Sequence, residues 1–147
     1  MKGVIQNFPP EIRTATKVAA NLPQTAQAAY FTVTGGKVAV KLYGEVTTVI
    51  QDQACNLEIY ANPTSGTDTV IGAALEIRTD AVGTVYSLTG TTGDAILENA
   101  PGACLEEQNG WIIVPAGTID LKTSASNTGA TKWTCKWTVI DAGATLA

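Results

Sequence analysis

Histidine is missing from this chain of 147 residues. It is the only side chain whose unperturbed pKa places its charge change near neutral pH. Its absence excludes the Ser-His-Asp triad, the Cys-His pair and every metal site ligated by histidine. The glycine-rich run 89–94 also lacks the lysine of a P-loop and precedes no helical pattern. No enzyme class has positive support, so we predict a non-enzymatic protein with no catalytic and no cofactor-binding residues.

Charge is scarce as well. Charged residues make up 15% of the chain, against roughly a quarter in ordinary domains. A surface that is poor in charge and rich in threonine, alanine, serine and asparagine is typical of one that a partner covers; the alternative is a monomer with a neutral polar surface. The net charge of −4 and the spread of the basic residues argue against a nucleic-acid partner, because phosphate binding needs clustered lysine and arginine. Two pairs of lysines share a strand face, where we expect solvent: Lys37 with Lys41, and Lys132 with Lys136.

The few cysteines and the short apolar runs indicate where the chain folds. Cys55, Cys104 and Cys135 are odd in number and have no CxxC spacing, which predicts neither a disulfide framework nor a zinc site. Cys55 and Cys135 stand in apolar strand patterns, where a free cysteine packs as a small hydrophobic side chain. No apolar run approaches the roughly 20 residues of a membrane span, and the first residues lack the apolar core of a secretory signal. We therefore expect no membrane partner and folding in a cytoplasm.

Short alternating runs rich in threonine and valine are what the sequence has in quantity. Glycine, proline and asparagine turns separate about eight such runs, with no convincing helical pattern between them. This organisation predicts an all-β fold, an antiparallel β-sandwich that is jelly-roll-like. An immunoglobulin-type sandwich is disfavoured because its Cys…Trp…Cys arrangement is missing.

Individual residues within these runs carry further predictions. Gly35-Gly36 predicts a tight hairpin between the runs 30–34 and 37–51, and Gly44 a bulge or bend in the second run. In the run 84–89, either Val85 or Tyr86 with Leu88 faces inward. In the last long run, one face carries Trp133, Cys135, Trp137 and Val139. We predict that this face belongs to the core.

The first 29 residues are less clearly β than the rest. Pro9 and Pro10 precede a stretch rich in threonine and alanine that shows no 3.6-residue stripe. We predict an N-terminal arm over residues 1–29, extended or partly helical, that docks on a β-sandwich domain over residues 30–147. The alternative is a frayed terminus.

The acidic residues do not propose a site. Four aspartates stand in or beside predicted turns, where such residues usually cap their own backbone: Asp68, Asp80, Asp94 and Asp120. No calcium-loop spacing is present, so we predict no metal site. The adjacent Glu106 and Glu107 would point apart on a strand. A carboxylate pair of glycosidase type, assembled from distant strands, stays open as an alternative.

Several turn-and-strand patterns resemble those of small structural proteins of tailed-bacteriophage virions, the capsid decoration or cement family. The resemblance covers the chain from about Asn21 to Thr145 and contains no catalytic signature; its segments are 21–29, 36–40, 44–50, 61–68, 115–121 and 126–133. It implies a β-rich virion protein that binds the outside of an assembled head, forms homodimers or homotrimers, and bridges subunits of the major capsid protein. The arm would contribute contacts.

Two other kinds of function remain as alternatives. A lectin-like binding module would stack sugar rings on exposed aromatic side chains such as Tyr43, Tyr60 or Trp111. A structural component of a phage tail or neck would share the same sequence features.

Overall fold

β-Strands are the regular secondary structure of this protein in the computed structural model, which describes residues 11–19, 22–105 and 107–147. No helix occurs in these ranges. The strands are β1 Arg13–Ala19, β2 Gln27–Thr34, β3 Val38–Thr48, β4 Asn56–Pro63, β5 Thr69–Glu76, β6 Val85–Ser87, β7 Leu97–Asn99, β8 Ile112–Val114, β9 Gly117–Thr123, β10 Ala130–Val139 and β11 Thr145–Leu146.

Two sheets share these strands. Sheet A has six strands in the order β1-β10-β3-β6-β7, and β8 also pairs with β3. Sheet B has five strands in the order β11-β2-β9-β4-β5. All the ladders between these strands are antiparallel, so the predicted all-β sandwich is confirmed. The described ranges contain eleven strands where about eight were expected; two of the additional ones are β1, which lies in the predicted arm, and β11, which is too short to show a pattern. The jelly-roll arrangement stays a prediction.

The apolar residues of alternate positions fill the space between the sheets. Sheet A contributes the buried side chains of β3 and β10, and sheet B those of β2, β4 and β9. Trp133 and Trp137 are 1% and 5% exposed, which confirms their assignment to the core. Cys55 and Cys135 are buried free thiols, as predicted. Of the two alternatives for the run 84–89, Tyr86 and Leu88 are the residues that face inward.

Gly44 gives room to the largest side chain of the core. Its register partners are Trp133 on β10 and Tyr86 on β6, and the rings of these two residues stack with centroids 6.2 Å apart. A Cβ atom on Gly44 would lie 2.7 Å from the Trp133 ring. Of the predicted bulge or bend at Gly44, the bulge is wrong: the ladder with β10 is regular there, and its irregularity falls at Thr47. Glycine is needed at this position for packing.

The Gly35-Gly36 turn joins the two sheets. Both glycines have positive φ, 80° and 142°, as a tight turn requires. The hairpin predicted from them is nevertheless wrong, because β2 pairs with β9 and β11 in sheet B while β3 belongs to sheet A. A Cβ on Gly35 would stand 2.6 Å from the carbonyl oxygen of Gly143, in the turn before β11. The two glycines thus allow the chain to cross from sheet B to sheet A.

The segment predicted as an arm is integrated into the fold where it is described. Residues 13–19 are extended and form β1 at the edge of sheet A, with Ala15 packed against the core. Leu22 is 1% exposed within the core. The expected boundary between residues 29 and 30 falls inside β2, so a separate arm is not confirmed; residues 1–10, 20 and 21 lie outside the described part. The physical reason is that β10 offers an open edge, whose hydrogen-bonding groups β1 satisfies.

Candidate binding face on the outer side of sheet A

Side chains that point away from the core form a continuous face on sheet A. Strand register places Tyr43 between Thr134 of β10 and Ser87 of β6. One row along, Lys41 stands opposite Lys136. Directly opposed residues of antiparallel strands lie about 4.5–5.5 Å apart at their Cβ atoms, so the side chains within each row are neighbours. The face is therefore one surface built by several strands.

Tyr43 and Trp111, two of the three aromatic residues that the sequence analysis proposed for ligand stacking, lie on this face. The ammonium group of Lys41 lies 5.4 Å from the ring centroid of Trp111, and that of Lys136 lies 5.8 Å from the ring centroid of Tyr43. Both distances are within the range of cation–π attraction. Tyr60 is not part of this group, because it lies on β4 in sheet B. The predicted aromatic candidates thus divide between two faces.

A cavity of about 250 Å³ opens on this face beneath the loop that follows β7. Leu105 of that loop is 77% exposed, and the neighbouring Cys104 is an exposed free thiol. Ser87 is 3% exposed, and its Oγ has no hydrogen-bond partner among the described residues. The cavity combines apolar and polar walls, which are made by Tyr43, Glu45, Val85, Ser87, Cys104, Leu105 and Lys136.

One buried glutamine attaches this loop to the sheet. The Nε2 of Gln108 donates to the carbonyl oxygens of Val40 and Gly110 at 2.9 and 2.8 Å, and its Oε1 accepts from the backbone N–H of Leu42 at 3.0 Å. Along this edge of β3, β8 pairs up to Val40 and β6 begins at Tyr43. The Gln108 amide occupies the gap between these two short strands and replaces a missing peptide group. Sequence analysis did not find this residue, because it stands in a segment without periodicity.

Other large apolar side chains are exposed on the same face of sheet A. Trp111 is 38% and Ile113 59% exposed; Ile113 stands opposite Ala39 on the outer side of β8. Val18, at the β1 end of the same face, is 67% exposed and stands opposite Lys132. Isolated exposed apolar residues are ordinary, whereas a contiguous apolar patch marks an interaction surface. The Lys132–Glu45 ion pair, at 3.5 Å and nearly half exposed, contributes little to stability.

The outer side of sheet B carries polar side chains that mostly bind each other. Asp120 is 3% exposed, and its Oδ2 accepts from the side-chain amides of Gln27 at 2.7 Å and Asn62 at 3.0 Å. Gln27 also donates to Asp68 at 2.9 Å. The placement of Asp120 in a turn is wrong, since it lies within β9, where strand alternation turns it outward. Tyr60 donates to Glu58 at 2.8 Å, and this hydrogen bond raises the pKa of Tyr60.

The other predicted turn aspartates also bind side chains. Asp94 accepts from the hydroxyl of Thr89 at 2.8 Å, and Asp80 accepts from the hydroxyl of Tyr86 at 2.5 Å. Burial raises the pKa of Asp80 and of Glu98, and the two carboxyl groups hydrogen-bond each other. Glycosidase carboxyl groups stand at least about 5 Å apart to flank a substrate. Asp80 and Glu98 are therefore too close to act as such a pair.

The described ranges contain neither clustered metal ligands nor a membrane-spanning helix. No group of three or more acidic or cysteine side chains there is arranged to hold a metal ion. None of the described residues belongs to a helix that could cross a membrane. Glu107 is exposed, and Glu106 lies outside the described residues.

Comparison with known proteins finds no matching family model, no matching curated sequence and no matching solved structure.

Proposed function

We propose that this protein is a non-enzymatic structural component of a tailed-bacteriophage virion, a capsid decoration protein that binds the outside of the assembled head. In this role it bridges subunits of the major capsid protein and associates with copies of itself as a dimer or trimer. The sequence resemblance supplies the class of particle, and the outer face of sheet A supplies the contact surface.

The observation that carries the proposal is the composition of that face. Trp111, Ile113 and Leu105 are exposed large apolar side chains, and a cavity lies among the residues of the same face. The centres of protein interfaces are enriched in aromatic residues. A sheet face is also rigid, so that binding orders few side chains and retains more of the interaction energy. Many identical copies on one particle make a modest affinity per copy sufficient.

A direct test uses heads that lack this protein and the purified chain added back. We expect the chain to co-sediment with heads at a fixed number of copies and to raise the temperature at which the heads disrupt. Ile113→Asp places a charge on the contact face and should weaken binding by about tenfold or more, equivalent to roughly 1.4 kcal/mol. Thr32→Asp, on the exposed side of β2 in sheet B, is the matched control and should bind as the unaltered protein does.

Three outcomes would contradict the proposal. The first is that the chain does not bind heads, and the second is that the Ile113 and Thr32 variants bind equally well. The third is binding to isolated tails instead, which would favour a tail or neck component. A lectin-like function would show itself as specific binding on a glycan array that depends on Tyr43, Tyr60 or Trp111.

A further inference from the structure

The cavity on the outer face of sheet A has a shape and chemistry that suit one particular kind of group. We propose that it is an anchor pocket for a single tyrosine side chain of the protein partner, whose phenol hydroxyl binds the Oγ of Ser87. This inference rests on the proposed function, since it names what the contact face recognises. It goes further because it assigns a position and a chemical group to the contact.

The state of Ser87 is the first argument. The side chain is 3% exposed, it lines the cavity, and its Oγ has no hydrogen-bond partner within the described ranges. Buried hydroxyl groups in native proteins are nearly always hydrogen-bonded, because an unpaired one keeps its desolvation penalty. A serine hydroxyl donates one hydrogen bond and accepts two. The Oγ is closed to solvent in the unbound protein, so the side chain turns about χ1 into the cavity to meet a phenol hydroxyl, which can then both donate to it and accept from it.

The size of the cavity is the second argument. An enclosed cavity of roughly 150 Å³ accommodates benzene. The cavity measures about 250 Å³, which leaves room for one ring with a substituent. Typical pockets for larger organic ligands begin at about 300 Å³. The walls suit a ring, because Val85, Leu105 and Tyr43 provide apolar and aromatic contacts.

The surroundings of the cavity point to a protein as the source of that ring. Leu105, Ile113 and Trp111 are exposed on the same face, and a free compound with a single ring is too small to cover all three. Interfaces commonly place one aromatic side chain in a central pocket and surround it with contacts that exclude water. The cavity, with Leu105 in its wall and Trp111 and Ile113 exposed on the same face, suits this arrangement, whereas a free phenol would leave Trp111 and Ile113 uncovered.

Cys104 provides a way to fill the cavity without altering the fold. It is the exposed thiol in the cavity wall, whereas Cys55 and Cys135 are buried, and burial raises the pKa of Cys135 to about 12. N-ethylmaleimide should therefore modify Cys104 alone in the folded protein, and mass spectrometry of peptides checks this. We expect the modified protein to lose at least about tenfold in affinity for heads. In Cys104→Ser, the same treatment should leave binding unchanged.

A thiol elsewhere controls for the bulk of the label. The double variant Cys104→Ser with Thr32→Cys carries its thiol on the exposed side of sheet B. After alkylation it should bind heads as well as before. If labelling at position 104 and at position 32 weakens binding equally, the cavity has no special part in the contact and the inference is wrong.

Removing the hydroxyl of Ser87 separates binding from folding. Ser87→Ala deletes a buried group that has no described partner, so the urea midpoint of the isolated protein should stay the same or rise. Its affinity for heads should fall about fivefold, the effect of one lost hydrogen bond. Thr32→Ala should change neither quantity. A Ser87→Ala variant that binds heads as tightly as the original would overturn the inference.

The probe N-acetyltyrosinamide tests the chemical group. It should shift the NMR signals of residues around the cavity at millimolar concentration and compete with heads, and N-acetylphenylalaninamide should do so several-fold more weakly. Equal binding of both probes would refute the role of the hydroxyl. If heads fail to bind the unaltered chain, the proposed function fails first and the inference fails with it. If heads bind but an alkylated Cys104 has no effect, only the anchor pocket is wrong.

Discussion

Replacing Gly44 by alanine gives a sharp test of how the core is packed. In an ordinary strand this change stabilises a protein by about 0.5–1 kcal/mol, because it restricts the unfolded chain. Here the new methyl group would lie 2.7–2.8 Å from three ring atoms of Trp133. The indole is 1% exposed and stacked on Tyr86, so it has no free space to move into. Overpacking of this kind costs about 1–3 kcal/mol.

The two effects have opposite signs, and the overlap should dominate. We expect Gly44→Ala to lower the free energy of unfolding by about 2 kcal/mol, which corresponds to roughly 4–8 °C in melting temperature for a chain of this size. Urea denaturation and thermal melting followed by tryptophan fluorescence measure both. The matched control is Gly110→Ala, because no described atom would come within 4 Å of its Cβ. That variant should be neutral or slightly stabilised.

A second substitution identifies the cause. Trp133→Leu removes the ring atoms that the methyl group meets, so adding Gly44→Ala to this variant should cost at least about 1 kcal/mol less than it does in the original protein. Our reasoning is refuted if Gly44→Ala and Gly110→Ala are equally stable. It is also refuted if the cost of Gly44→Ala is the same with and without the Trp133 ring.

Two further predictions concern the loop attachment and the dependence on pH. Gln108→Ala should lower the free energy of unfolding by roughly 2–3 kcal/mol, because it leaves buried backbone groups of β3 unpaired. The control Gln53→Ala, at an exposed position, should change the free energy of unfolding by less than about 0.5 kcal/mol. Equal urea midpoints for the two variants would contradict this prediction. Burial raises the pKa of Asp80 and of Glu98, so the folded protein binds more protons than the unfolded chain in the window above their ordinary pKa values. The free energy of unfolding should therefore fall as the pH rises from about 4 through the raised pKa values of the two carboxyl groups. Urea titrations at a series of pH values should show a smaller fall for Asp80→Asn than for the original protein. The same dependence on pH in both proteins would contradict this prediction.

The long strands could be predicted from the sequence because one face of each is buried. In β3, β4 and β10 the alternation of apolar and polar residues separates core from surface, and Trp133 and Trp137 followed from it. Strand pairing could not be predicted, since β3 finds its partner β10 far along the chain. Gly35-Gly36 shows the limit, because the same two residues suit a hairpin and a crossing between sheets.

The candidate site was only partly accessible to sequence reasoning. Tyr43 and Trp111 were found as exposed aromatics, since large rings outside the core pattern are conspicuous. The cavity depends on where the loop after β7 lies, and that is decided by the hydrogen bonds of Gln108 to β3. No local pattern encodes such a contact. Ser87 was missed for the same reason, because the lack of a hydrogen-bond partner for its buried hydroxyl can be recognised only when its neighbours are known.

The placement of β9 and β10 has a consequence for biosynthesis. β10 separates β1 from β3, and β9 separates β2 from β4, so the strands made late occupy the inner positions of both sheets. As long as β9 and β10 have not been translated, β2, β3 and β4 each lack a hydrogen-bonded partner on at least one edge. Both sheets can therefore be completed only after β9 and β10 have been translated, and folding proceeds slowly because its contacts join distant parts of the chain. Until then the unpaired edges of β2, β3 and β4 are exposed and offer hydrogen-bonding groups to other chains.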